Sequence, residues 1–302
     1  MNGKISNLAQ VASLRRYTLS EGSAKGMDVI DCDNGKIRFL LSVNNALDIM
    51  QLYHEGQNIS FLSKNAFVAD EKPFLNRFEG GMLYTCGLDN AGNREGYTMH
   101  GTLHLTKAEI VRAECTDEEI TVEAVIRNSA LFGGNLLLRR KYTTKLGSGT
   151  LELEDKLTNE AYAEGEYCVL YHTNLGYPML DAGAKISLTT ERVYPRGEFA
   201  EKNMYRLYDI CEPTPCEEEA CYYFDLTKPQ VSVTNEKLGK KFTLAYSAET
   251  LPKFLMWKSF ACGDYALGLE PCTSRIGDEL VMTKIGAGET KIHRVSFTVE
   301  KL

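Results

Sequence analysis

The sequence predicts an all-β protein, a large antiparallel β-sandwich, and three observations carry that prediction. Segment after segment alternates apolar and polar residues with period two, the signature of half-buried strands. Helical periodicity is confined to one place near the N-terminus, and the βαβ alternation that builds parallel sheets is missing. The turns between apolar rows are short and rich in Gly, Asn and Asp, and no linker, repeat or low-complexity stretch divides the 302 residues. One domain spanning residues 1–302 is therefore expected.

In chain order, Leu8, Val11 and Leu14 fit a short N-terminal helix, and strands are expected to dominate from Ile37 to Val299. Ile120, Val122, Ala124 and Ile126 form one clear row. The runs Leu136 to Thr144 and Thr150 to Leu157 flank Lys145-Leu146-Gly147-Ser148-Gly149, whose glycines supply the positive φ of a short hairpin. The Pro-containing acidic stretch Glu212 to Glu219 reads as a loop. Phe242, Leu244 and Tyr246, then Val295, Phe297 and Val299, add rows toward the C-terminus.

At 43% hydrophobic residues the chain can bury a substantial core. Its net charge of -7 argues against a nucleic-acid partner, because phosphate binding draws on clustered Lys and Arg. No signal-peptide pattern and no apolar run of membrane-spanning length occurs, so no membrane partner and a cytoplasmic location are expected. Nine cysteines, an odd count without an export signal, read as reduced thiols. Cys211, Cys216 and Cys221 repeat every five residues, unlike the closer pairs of zinc sites, and no metal is expected there.

Three segments could carry chemistry. The first runs from Asn76-Arg77-Phe78-Glu79-Gly80-Gly81 to Asp89-Asn90 and is followed by Met99-His100-Gly101-Thr102. Paired glycines suit a backbone passing close to a ligand, with Arg77 and His100 as the polar groups. The same residues would also suit a surface ion pair and a turn histidine. The second is Tyr167 to Pro178, where period two places His172 at the end of the apolar row formed by Cys168 and Leu170. A core histidine bonded to backbone fits that position as well.

The third is Phe254 to Pro271. If Ala261 to Asp264 form a hairpin loop, Trp257 falls opposite Gly268 and Leu255 opposite Glu270, all on one face. Ala266 and Gly268 carry almost no side chain on that face, which leaves room beside the carboxylate, and the chain's only Trp borders the space. The alternative is a core tryptophan and a rim carboxylate paired with Lys or Arg.

Together, Gly81 to Gly87, His100-Gly101, Tyr171-His172-Thr173-Asn174 and Leu269-Glu270-Pro271 resemble the aldose 1-epimerase (galactose mutarotase-like) superfamily. The chain is most similar to a bacterial aldose 1-epimerase-like branch, from about Gly26-Met27-Asp28 onward and including Ala46-Leu47-Asp48-Ile49 and His54-Glu55-Gly56. The resemblance implies a galactose mutarotase-like β-supersandwich with a carbohydrate in a concave sheet face. It implies Glu270 as general base, His172 as general acid, and His100 and Arg77 as groups that hold the sugar. It implies no cofactor. Trp257 suits the apolar CH face of a sugar, and Asp225 is the nearest counterpart of the family aspartate that contacts sugar hydroxyls. The sequence departs from characterised mutarotases after the histidine, where Thr173-Asn174-Leu175-Gly176 replaces an aromatic-Asn-Leu run.

The expected activity is anomer interconversion of a free sugar or sugar derivative by acid–base ring opening. The alternatives are a non-catalytic carbohydrate-binding protein and a metal-assisted isomerase or lyase in which His100, His172 and Glu270 act as ligands. A glycoside hydrolase would need a second carboxylate that the sequence does not offer convincingly. Arg77, Lys258 and Arg275 are candidates to meet an anionic group on the substrate, or ordinary ion-pair residues.

Overall fold

A computed structural model describes residues 3–302. Its eight-stranded sheet runs in the order Lys185–Ser187, Gln230–Asn235, Lys240–Tyr246, Thr290–Lys301, Thr150–Asn159, Asn135–Lys145, Glu119–Ser129 and Glu109–Cys115. A seven-stranded sheet runs Thr190–Arg196, Ala220–Leu226, Lys253–Ala261, Asp264–Cys272, Gly165–Leu175 and Thr283–Ile285, with Leu83–Leu88 also paired to Gly165–Leu175. A five-stranded sheet holds Ser13–Thr18, Asp28–Asp33, Ile37–Ser42, Asp48–His54 and Gln57–Asn58, and Phe61–Leu62 pairs with Gly80–Gly81. The strand pairings within these sheets are antiparallel, as the period-two pattern predicts.

The expected hairpin forms between Asn135–Lys145 and Thr150–Asn159. Gly147 takes a φ of 71°, which supplies the left-handed turn. Gly149 is required for another reason: a Cβ there would overlap the Val299 carbonyl of the adjoining strand. The acidic stretch Glu212 to Glu219 is a loop, as read from its proline and charge. The N-terminal helix is not formed. Leu8–Gln10 makes a single 3-10 turn capped by the Asn7 side chain, while Leu14 belongs to the strand Ser13–Thr18. That strand's ladder with Asp28–Asp33 satisfies more backbone groups than one turn of helix could, so pairing overrides the weak helical spacing.

The main core lies between the two large sheets. Val122, Leu138, Leu153, Phe242 and Phe297 of the eight-stranded sheet share one cluster with Tyr171, Phe224, Phe254, Leu267 and Leu269 of the seven-stranded sheet. A second cluster on the opposite face of the seven-stranded sheet contains Tyr84, Cys86, Cys168, Leu170, Cys221, Tyr223, Leu255 and Cys272. The central strands Gly165–Leu175 and Asp264–Cys272 are therefore buried on both faces rather than half-buried. All nine cysteines are free. Among the described residues no helix is long and apolar enough to cross a membrane.

A buried ionic knot joins the three large sheets. Arg140, fully buried, donates through Nε and Nη2 to the two Asp155 oxygens at 2.9 and 2.7 Å. Its Nη1 reaches the Asp48 carboxylate and the Ala46 carbonyl, and Nη2 also reaches Thr85 Oγ1 at 3.0 Å. Tyr171 donates its hydroxyl to Asp155 at 2.8 Å. His104 sits between Asp48 at 2.7 Å and Glu79 at 2.9 Å, with one ring nitrogen facing each carboxylate, so both nitrogens act as donors. Burial alone would lower the His104 pKa, but Glu79 and Asp48 outweigh it and raise it to about 9. Asp48 is pushed up by its burial, yet Arg140 and then His104 hold it below the usual carboxylate range.

Replacing Arg140 with Met leaves the buried Asp155 without its cation and Asp48 with His104 alone, and should cost about 3–5 kcal/mol in denaturant unfolding. His104 gives a pH signature. Its folded pKa of about 9 lies above the unfolded value near 6.5, so its stabilisation is complete below about pH 6.5 and is lost as pH rises through 9. The stability gap between native protein and His104→Gln should narrow across that window by on the order of 3 kcal/mol, measured by urea unfolding at each pH. A gap that does not change with pH would contradict a protonated His104.

Candidate active site

The outer face of the seven-stranded sheet floors a cleft of about 650 Å³, a volume suited to a small-molecule ligand. Strand register places its polar groups. In the hairpin Lys253–Ala261 and Asp264–Cys272, Trp257 pairs with Gly268 and Leu255 with Glu270, as the sequence predicts from a loop at Ala261 to Asp264. The next strand pairs Thr173 with Leu269 and Asn174 with Gly268, and the same register sets His172 opposite Glu270. On its other side His172 pairs with Tyr84.

His172 Nε2 lies 3.3 Å from Glu270 Oε1. Both side chains are almost wholly buried, and His172 Nδ1 and Glu270 Oε1 have no hydrogen-bond partner within the protein. Buried polar atoms are normally paired, and these two unpartnered atoms belong to residues that line the cleft. Burial pushes Glu270 well above the ordinary carboxylate range, with Glu219 adding to the shift and Arg196 opposing it. Burial, then His100, lowers His172 to about 3. Within the protein alone the pair therefore favours its uncharged forms, with the proton on the carboxyl and a neutral imidazole beside it.

Gly268 makes this contact possible. A Cβ at Gly268 would overlap Glu270 Oε1 and lie 3.1 Å from Trp257 Cβ and 3.2 Å from His172 Cε1. The expected space beside the carboxylate is thus occupied by the functional groups themselves.

His100 arrives from the loop after Leu83–Leu88 with a φ of 63°, a left-handed conformation that a non-glycine residue keeps only when its surroundings impose it. Its backbone N–H donates to the Gly92 carbonyl and its carbonyl accepts from the Gly87 N–H, both at 3.0 Å. Cys86 Sγ lies 3.1 Å from His100 Nδ1, and the Gly92 N–H donates to the same nitrogen at 3.4 Å. Burial, with Glu270 and Asp48 nearby, keeps the Cys86 thiol protonated. Nδ1 is therefore an acceptor, and Nε2 carries the hydrogen as a donor. Burial, then Arg196 and Arg77, lowers His100 to about 4.

Aromatic rings wall the cleft. Trp257 meets His172 edge-on with ring centres 5.3 Å apart, and Phe78 lies 5.7 Å from His172. Phe74 approaches His100 at 4.9 Å, and Phe61 reaches Trp257 at 6.5 Å. The Trp257 indole N–H donates to Glu219 at 2.7 Å, which fixes the ring's angle. At the mouth, Lys64 and Asp264 form an ion pair at 2.7 Å.

Of the residues expected from the sequence, Glu270, His172, His100 and Trp257 converge on this cleft. Arg77 is buried and lies within electrostatic reach of His100, behind the lining residues. Asp225 is not part of the lining. It shares a strand face with Cys221, but four residues further along, where it accepts a hydrogen bond from the Tyr194 hydroxyl at 2.9 Å. Alternation gives the face of a residue, not its distance from the site. Lys258 and Arg275 do not face the cleft as free cations. Lys258 lies on the other face of its strand and donates to the carbonyls of Arg206, Leu207 and Asp209, while Arg275 pairs with Glu279.

The sequence reading missed Arg196, Glu219, Phe74 and Phe78. The segments of Arg196, Glu219 and Phe74 carry no local signal beyond alternation or acidity, while Phe78 lies in the first candidate segment, where the paired glycines and Arg77 drew the reading instead. Among the described residues, no three His, Cys, Asp or Glu side chains converge in a metal-binding arrangement, and the spaced cysteines Cys211, Cys216 and Cys221 range from exposed to buried without forming such a group.

A family model described only as a domain of unknown function, DUF4432, matches residues 24–299. The chain belongs to the DUF4432 family. Its fold is that of the galactose mutarotase-like proteins. A structure described as a candidate aldose 1-epimerase from Klebsiella pneumoniae superposes with a TM-score of 0.85 at 20% identity, covering 97% of this chain and 86% of the other. A galactose mutarotase-like protein from Clostridium acetobutylicum gives 0.73 at 13% identity, over 97% and 100% of the two chains. A candidate aldose 1-epimerase from Escherichia coli K12 gives 0.65 at 15% identity, over 96% and 100%. No functionally curated protein matches the sequence.

The depressed imidazoles give a direct test of this DUF4432 site. The ring nitrogens of His100 and His172 should show the chemical shifts of neutral imidazole from about pH 8 to pH 5 in 15N NMR, while His104 stays protonated through the same range. A His172 that titrates near its ordinary value would mean that the cleft is more hydrated than its burial implies.

Proposed function

We propose that this protein interconverts the anomers of an aldose, or of a derivative with a free anomeric carbon, by acid–base opening of the hemiacetal ring. The observation that carries the proposal is the 3.3 Å contact between Glu270 and His172 on the cleft floor, with unpartnered polar atoms on both groups. The two oxygens that must exchange protons in a hemiacetal, the anomeric hydroxyl and the ring oxygen, are bonded to the same carbon. An acid and a base that serve them must therefore be neighbours, and the register of two adjacent strands makes them so.

Glu270 as carboxylate takes the proton of the anomeric hydroxyl. The carbon–oxygen bond of that hydroxyl becomes a carbonyl, the bond from the anomeric carbon to the ring oxygen breaks, and His172 as imidazolium delivers its proton to the released oxygen. Rotation about the adjoining carbon–carbon bond presents the other carbonyl face, and the two transfers reverse as the ring closes. The pair holds one transferable proton, which burial places on Glu270 within the protein alone. Sugar hydroxyls that bond to the orphaned atoms would offset the cost of moving it to His172. His100 Nε2–H serves as a donor to a sugar oxygen, and the Trp257 and Phe78 rings pack on apolar sugar faces.

Glycoside hydrolysis fits less well. Glu219, the other carboxylate near Trp257, is engaged by the indole N–H, and the catalytic carboxylate of the cleft faces an imidazole instead.

Exchange spectroscopy on equilibrated aldoses tests the proposal. The native protein should accelerate α-to-β exchange, and Glu270→Gln and His172→Asn should each slow it by about 10²- to 10⁴-fold while sugar-induced quenching of Trp257 fluorescence persists. Gly268→Ala should abolish both exchange and quenching and lower the melting temperature, because its methyl group displaces the buried Glu270 carboxylate and crowds Trp257 and His172. Sugar binding without exchange in the native protein would make this a carbohydrate-binding protein instead.

A further inference from the structure

We infer that the substrate carries an oxyanion, a carboxylate or a phosphate, away from its anomeric carbon, and that Arg196 binds it at the far end of the cleft. The inference rests on the anomer-exchange reading for the position of the sugar ring, and on charge and register for the rest.

Arg196 ends the strand Thr190–Arg196 and pairs with Cys221, which pairs with Trp257, which pairs with Gly268. These four residues form one transverse row on the cleft face. The Arg196 backbone therefore stands three strands from the one that carries Glu270, roughly 14 Å at a strand spacing of about 4.8 Å, and its side chain reaches back far enough for its charge to act on Glu270 and His100. Cys221 and Gly268 are the small members of the row, and the Trp257 indole stands between them. A sugar whose anomeric carbon meets Glu270 and His172 would extend its remote substituent past that indole toward Arg196.

Among the described residues Arg196 has no carboxylate within ion-pair distance, although it lines a cleft that also contains Glu219, Asp264 and Glu270. Each of those acids is otherwise engaged. Asp264 pairs with Lys64, Glu219 accepts from Trp257, and Glu270 faces His172. Arg77 repeats the pattern: it is 8% exposed and makes no ion pair or side-chain hydrogen bond with any described residue. Arg196 is thus a cation of the cleft lining with no acid at ion-pair distance among the described residues, and an anionic group on a ligand would pair with it. A neutral hexose would leave the guanidinium unpaired.

The test compares binding and exchange for matched sugars: glucose and galactose, their uronates, and their 6-phosphates. Native protein should bind the uronate or the 6-phosphate roughly ten- to a hundred-fold more tightly than the parent hexose, followed by Trp257 fluorescence, and about 1 M salt should remove most of that preference. Arg196→Gln should bring the anionic-to-neutral ratio close to one, with the change in KM rather than kcat. Arg196→Lys should recover part of the preference, since it restores the charge without the planar fork. Preference for the uronate identifies a carboxylate, and preference for the 6-phosphate identifies a phosphate.

Equal affinity for charged and neutral sugars, or a preference that survives Arg196→Gln, overturns the inference even if exchange is catalysed. Selective binding of an anionic sugar without any anomer exchange overturns the catalytic reading and leaves the anion site standing. If Arg196→Gln does not fold, the Lys variant and the salt dependence still decide.

Discussion

The guanidinium of Arg140 is the point on which the rest of the architecture hangs. It lies on the eight-stranded sheet, yet its partners Asp48 and Thr85 come from the five-stranded sheet and the strand Leu83–Leu88, and Asp155 in turn holds Tyr171. A buried arginine is costly unless all its donors are used, so the knot permits only arrangements that bring these side chains together. Tyr171 directly precedes His172 in sequence, and Thr85 directly follows Tyr84, the cross-strand neighbour of His172. The interaction that sets the spacing of the sheets therefore also sets the height of the site floor. His104 extends the knot toward the cleft, because its ring stacks on Tyr84 at 3.7 Å.

The seven-stranded sheet has two dry faces with different purposes. One face packs aliphatic and aromatic side chains against the eight-stranded sheet. The other sets apolar residues such as Leu170, Tyr223 and Leu255 beside the polar His172 and Glu270, and it is covered by the loop containing Phe74 and Phe78 rather than by another sheet. Ser63 and Asn65 hold that loop through the Phe78 carbonyl, at 2.6 and 3.1 Å. Aromatic walls, a glycine-cleared floor and a low-dielectric setting strengthen any hydrogen bond made inside, and they also make unpaired charge expensive. That tension explains the electrostatics of the site. Within the protein alone the acid–base pair relaxes to uncharged forms, whereas the arginines cannot lose their protons and keep their charge.

Much of this was legible in advance. A two-residue turn at Cys262 and Gly263 fixes the pairing of everything along its hairpin, so Leu255 against Glu270 and Trp257 against Gly268 follow from counting outward. Pairing His172 with Glu270 needed the family resemblance, because the strand that carries His172 lies about ninety residues away and local pattern says nothing about which strands become neighbours. Asp225 shows the limit. Alternation puts it on the cleft face, but its strand runs on past the cleft edge, and Tyr194 takes its carboxylate.

The sequence by itself determined the all-β class, the antiparallel hairpins and the face on which each strand residue lies. These follow from short-range physics: side-chain alternation, turn chemistry and the steric freedom of glycine. Tertiary structure alone decided which faces meet, and with them the 3.3 Å contact of His172 with Glu270, the engagement of Glu219 by Trp257, and the position of Arg196, which has no ion-pair partner among the described residues yet acts on Glu270 and His100. Whether a charged side chain is paired or left free depends on neighbours distant in the chain, and that is a property of the assembled sheets.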